Sequence, residues 1–529
     1  MGMDYPKKTM YGLLAEAAVK NPKAMAYSFM GKKTDYEQLL QRVEQVAAGM
    51  YRLGIRKGDR LTICMPNMPQ AVDCVYGLNR LGAVANIIHP LCAERELDFY
   101  LKISQSKVIL TLDTFYKKVA AAAGDRIVLV ATAKWELPFW KRLFFRQKPI
   151  AGGIPWQSFY GCRIGLPPAE SNSEACACIL YSGGTTGKPK GVCLSSDNLN
   201  AAALQTLHAS GYEDFTGMKM LSMMPIFHGF GLGVGIHTPL VAGAGCILVP
   251  RFGIKTFTRL LKKERPDFIP GVPALFKAMV EAEDLRAVKL DFLKGIFCGG
   301  DILSPELKEQ VDEFLRAHGC TEQIREGYGM TESVSVTSLT PRQGAKSGTI
   351  GLPLADMHYQ IVAPGTLEAL PYGQTGEICV SGPTVMLGYL EDEEETAQTL
   401  RVHPDGQLWL HTGDLGSIDP DGYIRFHQRL KRMIVTNGYN VYPSQLEMIL
   451  AEHPQVKEAC VIGIEDPVRG QLVKAYIVPT QEPSEQLQQR LLEHCQERIA
   501  KYAIPRQWEF CRELPKTHLG KIDYTKLQN

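Results

Sequence analysis

YSGGTTGKPKG, residues Tyr181–Gly191, concentrates glycine, hydroxyl and lysine residues in one short stretch of the chain. It follows the apolar run Cys176–Tyr181, which predicts a buried strand, and it leads into a second short strand, Gly191–Leu194. The glycines allow a sharp turn through positive φ, which would aim backbone N–H groups at a bound phosphate. Hydroxyl and ammonium donors stand in the same turn. The stretch therefore predicts a phosphate-binding loop, with a plain glycine-rich surface turn as the alternative.

This loop is not the P-loop of the nucleoside triphosphatases. That motif needs a glycine where this chain has Ser182, and a serine or threonine where it has Pro189. Phosphate contacts must therefore come from a different arrangement of donors. The candidate contacts are Ser182, Gly183, Gly184, Thr185, Thr186, Gly187 and Lys190.

The length and the net charge of the chain limit which classes of protein it can belong to. A chain of 529 residues is too long for one core, so we expect a large region and at least one further domain. Lys and Arg number 58 against 56 Asp and Glu, so no overall field favours nucleic acid, and we expect no nucleic-acid partner. The opening residues MGMDYPKKT lack the apolar core of a signal peptide, which predicts a cytoplasmic location.

The 14 cysteines lack the paired spacing of a zinc site. Cys176 and Cys178 are the nearest pair, and they lie on the predicted strand before the loop. Because alternate residues of a strand share a face, we expect both side chains on one side of the sheet. The expected role of the cysteines is that of small buried residues.

Helical and strand patterns alternate along the N-terminal part of the chain. This alternation is typical of parallel sheets covered by helices, and it predicts an α/β fold. The predicted helices are 10–19, 36–53 and 69–81, and the predicted strands are 60–65, 83–88, 107–112 and 125–130. Further along, a strand at 295–298 and a helix capped by Ser304 before Pro305 are expected.

Two stretches have a composition that can indicate contact with a membrane. Ile226–Pro250 has no charged residue, but its six glycines and Pro239 predict a buried segment interrupted by turns. Lys134–Lys148 mixes five aromatic residues with five Lys or Arg residues. It can rest on a membrane surface, or it can be a basic loop that packs its aromatic side chains against the core. Pro138 confines any helix to the residues after it.

Motifs in order along nearly the whole chain resemble those of the acyl-adenylate-forming enzymes, a family of acyl-CoA synthetases, adenylation domains of peptide synthetases and luciferases. The doubled glycine at 183 and 184 is similar to a variant of many bacterial long-chain fatty acyl-CoA synthetases. The resemblance implies a large N-terminal region of stacked α/β subdomains and a small, mobile C-terminal α/β domain. The implied division is between residues 1–430 and residues 431–529.

The resemblance also implies where ATP and Mg²⁺ bind. The implied adenine and phosphate contacts are Gly299, Gly300, Asp301, Gly327, Tyr328, Gly329, Met330 and Thr331. Tyr328 has the ring to stack on adenine, and Glu332 has the carboxylate to hold Mg²⁺ beside the triphosphate. Asp414 suits the ribose hydroxyls, and Arg429 resembles a second ribose or phosphate contact. Asp301 departs from the Ala or Glu that is more frequent in the family.

For the acid substrate, His228 resembles the histidine of the family's substrate pocket. Its neighbours in PIFHGFG are a phenylalanine and a glycine, not the aspartate that pairs with the ammonium of amino-acid substrates. Amino acids are therefore not the expected substrates. Three glycines follow at Gly231, Gly233 and Gly235, where the family has a helix that lines the acyl pocket. They can leave room for an acyl chain, or they can allow close helix packing.

In the C-terminal region, Lys431 falls where the family has its hinge, and Gly438 falls in a loop near the CoA thiol channel. Lys521 matches the catalytic lysine of the family by its place after Gly520 near the chain end. The resemblance thus implies coenzyme A as a substrate and rotation of the small domain between two steps.

These residues predict an ATP-dependent ligase. A carboxylate, most simply a medium- or long-chain fatty acid, would attack the α-phosphorus of ATP, and the acyl-adenylate would then react with the thiol of CoA. The implied catalytic residues are Lys521, Thr186, Glu332 and His228. The alternatives are an aryl acid as substrate, a freestanding adenylation enzyme that loads an acyl carrier protein, and a non-catalytic nucleotide sensor.

Overall fold

The structure is a computed structural model that describes residues 2–146, 148, 150–162, 164–182, 189–436, 439–441, 443–466, 470–499, 501, 503–516 and 522–528. The chain divides into two compact units. Unit 1 is Met1–Tyr359 with Val380–Leu410, and unit 2 is Gln360–Cys379 with His411–Asn529. The hinge expected at Lys431, between residues 1–430 and 431–529, stays a prediction.

Several of the α-helices begin at a side chain that caps the first turn. The α-helices are α1 Met10–Lys20, α2 Tyr36–Arg52, α3 Pro69–Arg80, α4 Glu94–Ser104, α5 Tyr116–Ala122, α6 Phe139–Arg142, α7 Ser196–Ser210, α8 Thr238–Val241, α9 Ile254–Glu264, α10 Pro273–Val280, α11 Pro305–Ala317, α12 Glu393–Thr399, α13 Pro443–Ala451 and α14 Glu485–Gln496. Ser304 caps α11 by accepting from the N–H of Leu307, with Pro305 in the first turn as predicted.

Most of the strands are short and buried, and three of them have ten or eleven residues. The strands are β1 Met25–Phe29, β2 Lys32–Asp35, β3 Arg60–Cys64, β4 Val84–Ile87, β5 Val108–Leu112, β6 Ile127–Ala131, β7 Ile154–Pro155, β8 Cys176–Ser182, β9 Lys190–Ser195, β10 Lys219–Ser222, β11 Gly245–Leu248, β12 Phe268–Gly271, β13 Gly295–Cys298, β14 Ile324–Gly329, β15 Val336–Leu339, β16 Leu352–Pro353, β17 His358–Val362, β18 Gly376–Ser381, β19 Gly388–Tyr389, β20 Leu400–Val402, β21 Leu408–Ile418, β22 Ile424–Arg429, β23 Ile434–Thr436, β24 Tyr439–Val441, β25 Val456–Asp466, β26 Gly470–Pro479 and β27 Gln507–Phe510. The α/β prediction and the predicted helices and strands of the N-terminal part are confirmed.

Unit 1 contains a sheet with the strand order β16-β15-β14-β13-β12-β10-β11-β1-β2 and another with the order β19-β9-β8-β4-β3-β5-β6-β7. In both sheets the central strands pair in parallel. Both ends of the first sheet pair antiparallel, whereas the second sheet is antiparallel at its β19-β9-β8 end and parallel at its β6-β7 end. Helix α3, which is buried along its whole length, and neighbouring helices cover the second sheet. Side chains of α3 and of this sheet belong to the largest hydrophobic core. Parallel central strands with helical crossovers are the arrangement that the alternating sequence pattern predicts.

Unit 2 contains several antiparallel strand pairs and a parallel pair. One group has the order β17-β18-β21-β22, and the turn Asp419–Gly422 joins its last two strands as predicted. The other has the order β24-β23-β26-β25, with β27 parallel to β26. Helices α13 and α14 contribute Leu446, Leu450 and Leu491 to its core.

The prediction that Cys176 and Cys178 share one face of the sheet is wrong. The register of β8 against β9 shifts between these two residues, so Cys176 packs near Val84 and Ile179 while Cys178 belongs to the main core. A bulge adds one residue to a strand and thereby reverses which face the next side chain takes. All 14 cysteines are free thiols, and all except Cys176, Cys193 and Cys511 are buried.

The uncharged stretch Ile226–Pro250 folds as a π-helical segment, Phe230–His237, followed by α8 and β11. This agrees with the expected buried segment, and within the described residues no helix has the length and apolarity needed to span a membrane. His237 is fully buried, with Nδ1 2.8 Å from the hydroxyl of Tyr76 and Nε2 2.9 Å from Oδ1 of Asn200. Burial lowers the pKa of His237 to about 3, so the imidazole is neutral.

Candidate functional site

The site begins at the two ends of the glycine-rich loop. Ser182, the last residue of β8, is the Cα partner of Lys190, the first residue of β9. The antiparallel pair therefore brings a hydroxyl and an ammonium donor to the same end of two adjacent strands. The predicted contacts Gly183, Gly184, Thr185, Thr186 and Gly187 lie outside the described residues.

Glu332 is the residue on which the described part of the site converges. It lies in the single helical turn Thr331–Ser333 that follows β14, and both it and Thr331 are 7% exposed. Ser182 donates its hydroxyl hydrogen to Oε1 of Glu332 at 2.7 Å, and Tyr389 donates to the same oxygen at 3.0 Å. A carboxylate oxygen that is oriented by two hydroxyl donors suits a hard cation such as Mg²⁺.

Lys190 is joined to this cluster from the other side. Its ammonium forms an ion pair with Glu395 of α12 and lies 5.1 Å from the ring centroid of Tyr389. Both partners of the pair are partly buried. Lys190 is therefore held by a carboxylate and an aromatic face, and an incoming phosphate would have to compete with Glu395 for the ammonium.

Tyr389 and Glu395 are not among the residues predicted from the sequence. Burial, followed by the adjacent Glu332 carboxylate, raises the pKa of Tyr389 well above its ordinary value, so its hydroxyl remains a donor. Tyr389 reaches the site because β19 pairs with β9, which places Tyr389 opposite Val192. The acidic run Asp392–Glu395 is typical of a helix start, but it does not indicate that Glu395 lies next to Lys190.

Unit 1 also contains an open cleft, which is lined by Met330, two residues before Glu332. It collects His228 and most of the predicted adenine contacts, while Asp301 is exposed outside the lining. The lining residues are Thr206, Ala209, His228, Phe230, Val234, Phe297, Cys298, Gly299, Gly300, Gly327, Tyr328, Gly329, Met330, Ser335, Val336, Leu339 and Leu354. Most of these side chains are apolar, as is usual for a small-molecule site.

Two of the three glycines at positions 231, 233 and 235 lie where another residue packs closely against the backbone. A Cβ on Gly231 would lie 2.0 Å from the carbonyl oxygen of Pro225, and one on Gly233 would lie 3.0 Å from Cγ1 of Val334. Gly235 has only ordinary contact with its surroundings. Of the two interpretations of this stretch, the structure supports helix packing at Gly231 and Gly233, while Phe230 and Val234 line the cleft.

Glu326 is a titratable residue beside the cleft that the sequence did not single out. It precedes Gly327 in β14, where its Cα pairs with Cys298, and its Oε1 accepts from the N–H of Leu303 at 3.3 Å. Burial raises the pKa of Glu326 to about 7. Its charge therefore changes near neutral pH, directly before the predicted adenine contacts.

In unit 2 the predicted ribose contacts come together. Asp414 and Arg429 are Cα partners on β21 and β22, and Nε of Arg429 lies 3.0 Å from Oδ1 of Asp414. Asp414 is 1% exposed, whereas the Arg429 side chain is largely exposed. Lys431 lies in the helical turn Leu430–Arg432. Gly438 and Lys521 lie outside the described residues.

The sequence matches two family profiles. The profile of AMP-binding enzymes matches residues 14–390, and that of the AMP-binding enzyme C-terminal domain matches residues 445–521. The chain is 33% identical over 537 residues to a long-chain-fatty-acid–CoA ligase of Bacillus subtilis (strain 168), a match that covers 98% of this chain and 93% of that protein.

Solved structures are also similar to this chain over nearly its whole length. The crystal structure of ATP-bound MatB from Rhodopseudomonas palustris is 25% identical with a TM-score of 0.84, and the match covers 98% of each chain. O-succinylbenzoate coenzyme A synthetase (MenE) from Bacillus subtilis, in complex with ATP and magnesium ion, is 25% identical with a TM-score of 0.81, over 98% of this chain and 99% of that one. From matches of this length, the chain belongs to the AMP-binding enzyme family and is an acid–thiol ligase that uses ATP and CoA.

Proposed function

We propose that this protein converts a medium- or long-chain fatty acid into its acyl-CoA through an acyl-adenylate. The observation that carries the proposal is the convergence of Ser182 and Tyr389 on Glu332. Glu332 lies two residues after Met330, and Met330 and His228 both line the apolar cleft. A metal-binding carboxylate beside an apolar cleft is what activation of a hydrophobic acid requires.

In the first step, a carboxylate oxygen of the acid attacks the α-phosphorus of ATP, and the bond from that phosphorus to the bridging oxygen breaks, releasing pyrophosphate. Negative charge builds on the phosphoryl oxygens, so positioned cations are the main catalytic devices. Lys190 and Thr186 would hold the β- and γ-phosphates, and Lys521 would bridge the carboxylate and the α-phosphate. Glu332 would hold Mg²⁺, which neutralises part of the phosphate charge when bound.

In the second step, the sulfur of CoA attacks the acyl carbonyl, the thiol proton leaves, and AMP departs. The proposal has the C-terminal domain rotate about Lys431, which withdraws Lys521 and brings the loop at Gly438 to the acyl group. One active site then performs two reactions in turn. Asp414 would accept hydrogen bonds from the ribose hydroxyls, and Arg429, its ion-pair partner, would contact the ribose or the phosphate.

The fatty-acid assignment has two supports. The cleft is lined largely by apolar side chains, among them Phe230, Val234 and Leu339. A relative with 33% identity is named a long-chain-fatty-acid–CoA ligase. An aryl acid is the second candidate, because the structurally similar MenE is named for O-succinylbenzoate. Transfer to an acyl carrier protein instead of CoA is a further alternative. The free thiols are consistent with a reducing compartment, and we propose the cytoplasm.

The experiment is a panel of acids in a pyrophosphate-release assay with and without CoA. Fatty acids of increasing length are compared with benzoate, cinnamate and amino acids. A maximum among the fatty acids, with acyl-CoA as product, supports the proposal. A maximum among aryl acids would mean that the substrate is an aryl acid instead of a fatty acid. Pyrophosphate exchange without acyl-CoA would indicate a carrier protein as the acceptor.

A further inference from the structure

One part of the surface of unit 1 exposes several large apolar side chains to solvent. Residues 135–146, called the aromatic segment from here on, comprise a helical turn, the short helix α6 and the turn after it. Phe139 is 74% exposed, Trp140 62%, Leu143 71% and Phe144 85%. Of the two alternatives for this stretch, packing of the aromatic side chains against the core does not hold for Phe139, Trp140 and Phe144. Clustered exposed apolar residues of this kind mark interaction sites.

The aromatic segment is fixed to the body of unit 1. Glu136 is buried, with Oε1 2.8 Å from Nη2 of Arg42 and Oε2 3.3 Å from Nζ of Lys32. Burial opposes the charge of Glu136, but Arg42 and Lys32 together lower its pKa, so the pair persists at neutral pH. Leu137 is buried beside it. The exposed side chains are thus held outward by a built anchor.

The backbone of the aromatic segment is also tied down, by its own cations. Arg142 donates to the carbonyl oxygens of Leu137 at 2.9 Å and Trp135 at 3.0 Å. Lys141 donates to the carbonyl oxygen of Met30 at 2.9 Å, and its ammonium lies 5.0 Å from the Trp140 ring centroid. Met30 is itself 49% exposed, so the apolar surface extends beyond the segment.

Residues 134–148 carry mostly positive charge. Residues 134–148 contain five Lys or Arg residues and a single acid, Glu136, which the ion pairs above neutralise. Positive charge mixed with Trp and Phe complements a surface that is negative outside and apolar beneath. Protein–protein interfaces, by contrast, are poor in lysine at their centres.

We propose that the aromatic segment docks this protein on anionic lipid membranes, with Phe139, Trp140, Leu143 and Phe144 entering the headgroup region. The basic residues would contact the lipid phosphates. The docking is peripheral and reversible, because only a short strip of side chains is available to enter the bilayer. It is a property of unit 1 that does not depend on which acid the enzyme activates.

The test is flotation of the full-length protein with vesicles. Vesicles of phosphatidylcholine alone are compared with vesicles of equal parts phosphatidylcholine and phosphatidylglycerol, without ATP, CoA or acid. The wild type is expected to float with the anionic vesicles and to be released by salt. Trp140→Ser with Phe144→Ser should weaken apparent binding by about tenfold or more, and Arg146→Gln should weaken it less.

Phe252→Ser is the matched control, because Phe252 is an exposed aromatic residue outside the segment. It should bind as the wild type does. The proposal is overturned if the wild type ignores anionic vesicles, or if the double variant binds them equally well. It is also overturned if the double variant, in the absence of lipid, dissociates an oligomer of the wild type, since the surface would then be a protein interface.

Enzyme activity separates this proposal from the proposed function. In the absence of vesicles, the double variant should release pyrophosphate from a water-soluble acid at the wild-type rate, because none of the changed residues lines the cleft. A folded double variant that loses this activity would contradict the docking role of the segment. Vesicle binding by an inactive wild type would leave the docking proposal standing and overturn only the proposed function.

Discussion

Ser182 Oγ lies 2.7 Å from Glu332 Oε1, although 150 residues separate the two along the chain. The contact connects the start of the glycine-rich loop to the turn that ends GYGMTE. Tyr389 donates to the same oxygen, so donors from two other segments of the chain hold the Glu332 carboxylate. A carboxylate held in this way needs little reorganisation when a cation binds beside it.

Glu332→Gln should lower pyrophosphate release by about a hundredfold to a thousandfold, because glutamine keeps the shape and the acceptor oxygen but loses the charge that holds Mg²⁺. The measurement is initial rate against Mg²⁺ concentration, with folding checked by thermal unfolding. A variant that stays within about threefold of the wild type at every Mg²⁺ concentration would remove Glu332 from the metal site.

Tyr389→Phe removes the hydroxyl that donates to Glu332 and keeps the ring beneath Lys190. We expect a smaller loss, about fivefold to tenfold in kcat, because one hydrogen bond to a charged group is removed. The control is Tyr36→Phe, which removes a buried hydroxyl that bonds to the carbonyl oxygens of Leu240 and Ala244. That control should change stability and leave the Mg²⁺ dependence as it is. Equal Mg²⁺ profiles for Tyr389→Phe and the wild type would contradict the proposed link.

Glu395→Gln tests whether Lys190 exchanges a carboxylate for a phosphate. Removing the carboxylate frees the ammonium, so the KM for ATP should fall about twofold to fivefold, in line with the strength of a partly exposed ion pair. Glu394→Gln, an exposed neighbour on the same helix, is the control and should have no effect. A KM that rises in Glu395→Gln would mean that Glu395 supports nucleotide binding instead of competing with it.

His237→Gln tests a stability prediction. The pKa of His237 is lowered by burial from 6.5 to about 3, so as the pH falls below 6.5 the unfolded chain takes up a proton that the folded chain does not. The stability from this group is complete above pH 6.5 and is lost at lower pH. Between about pH 6 and pH 5 the wild type should lose about 1 kcal/mol more than the variant.

Denaturant unfolding at several pH values measures this difference. Asp73 and Glu326 have pKa values raised by burial, to about 6 and about 7, and their stability contributions change in the opposite direction as the pH falls. Both groups are present in wild type and variant, so the difference between the two proteins isolates His237. His208→Gln, at an exposed position, is the control. Parallel pH profiles for wild type and His237→Gln would refute the prediction.

The sequence predicted the fold well where one physical pattern dominates. Parallel strands such as β3 and β5 are buried on both faces, so their apolar runs mark them directly. Helix α11 starts where Ser304 and Pro305 indicate, because capping is a local interaction. The bulge between Cys176 and Cys178 was not predictable in this way, since it depends on the pairing of β8 with β9.

The candidate site was predicted only in part, for a similar reason. Ser182, Lys190 and Glu332 stand in motifs whose chemistry is visible in the sequence. Tyr389 and Glu395 reach them through the pairing of β19 with β9, a long-range contact that no local pattern encodes. The outward direction of the aromatic segment likewise depends on Arg42, far from it in sequence, which holds Glu136.

Separate measurement of the two half-reactions, in the wild type and in Lys521→Ala, tests the two-step mechanism. With ATP and a fatty acid but no CoA, the wild type should form acyl-adenylate and pyrophosphate, and added CoA should convert the adenylate to acyl-CoA. Lys521→Ala should lose pyrophosphate release but still transfer acyl groups from supplied acyl-adenylate to CoA. If the wild type forms no acyl-adenylate with any acid, or if Lys521→Ala loses both half-reactions equally, the two-step account is contradicted.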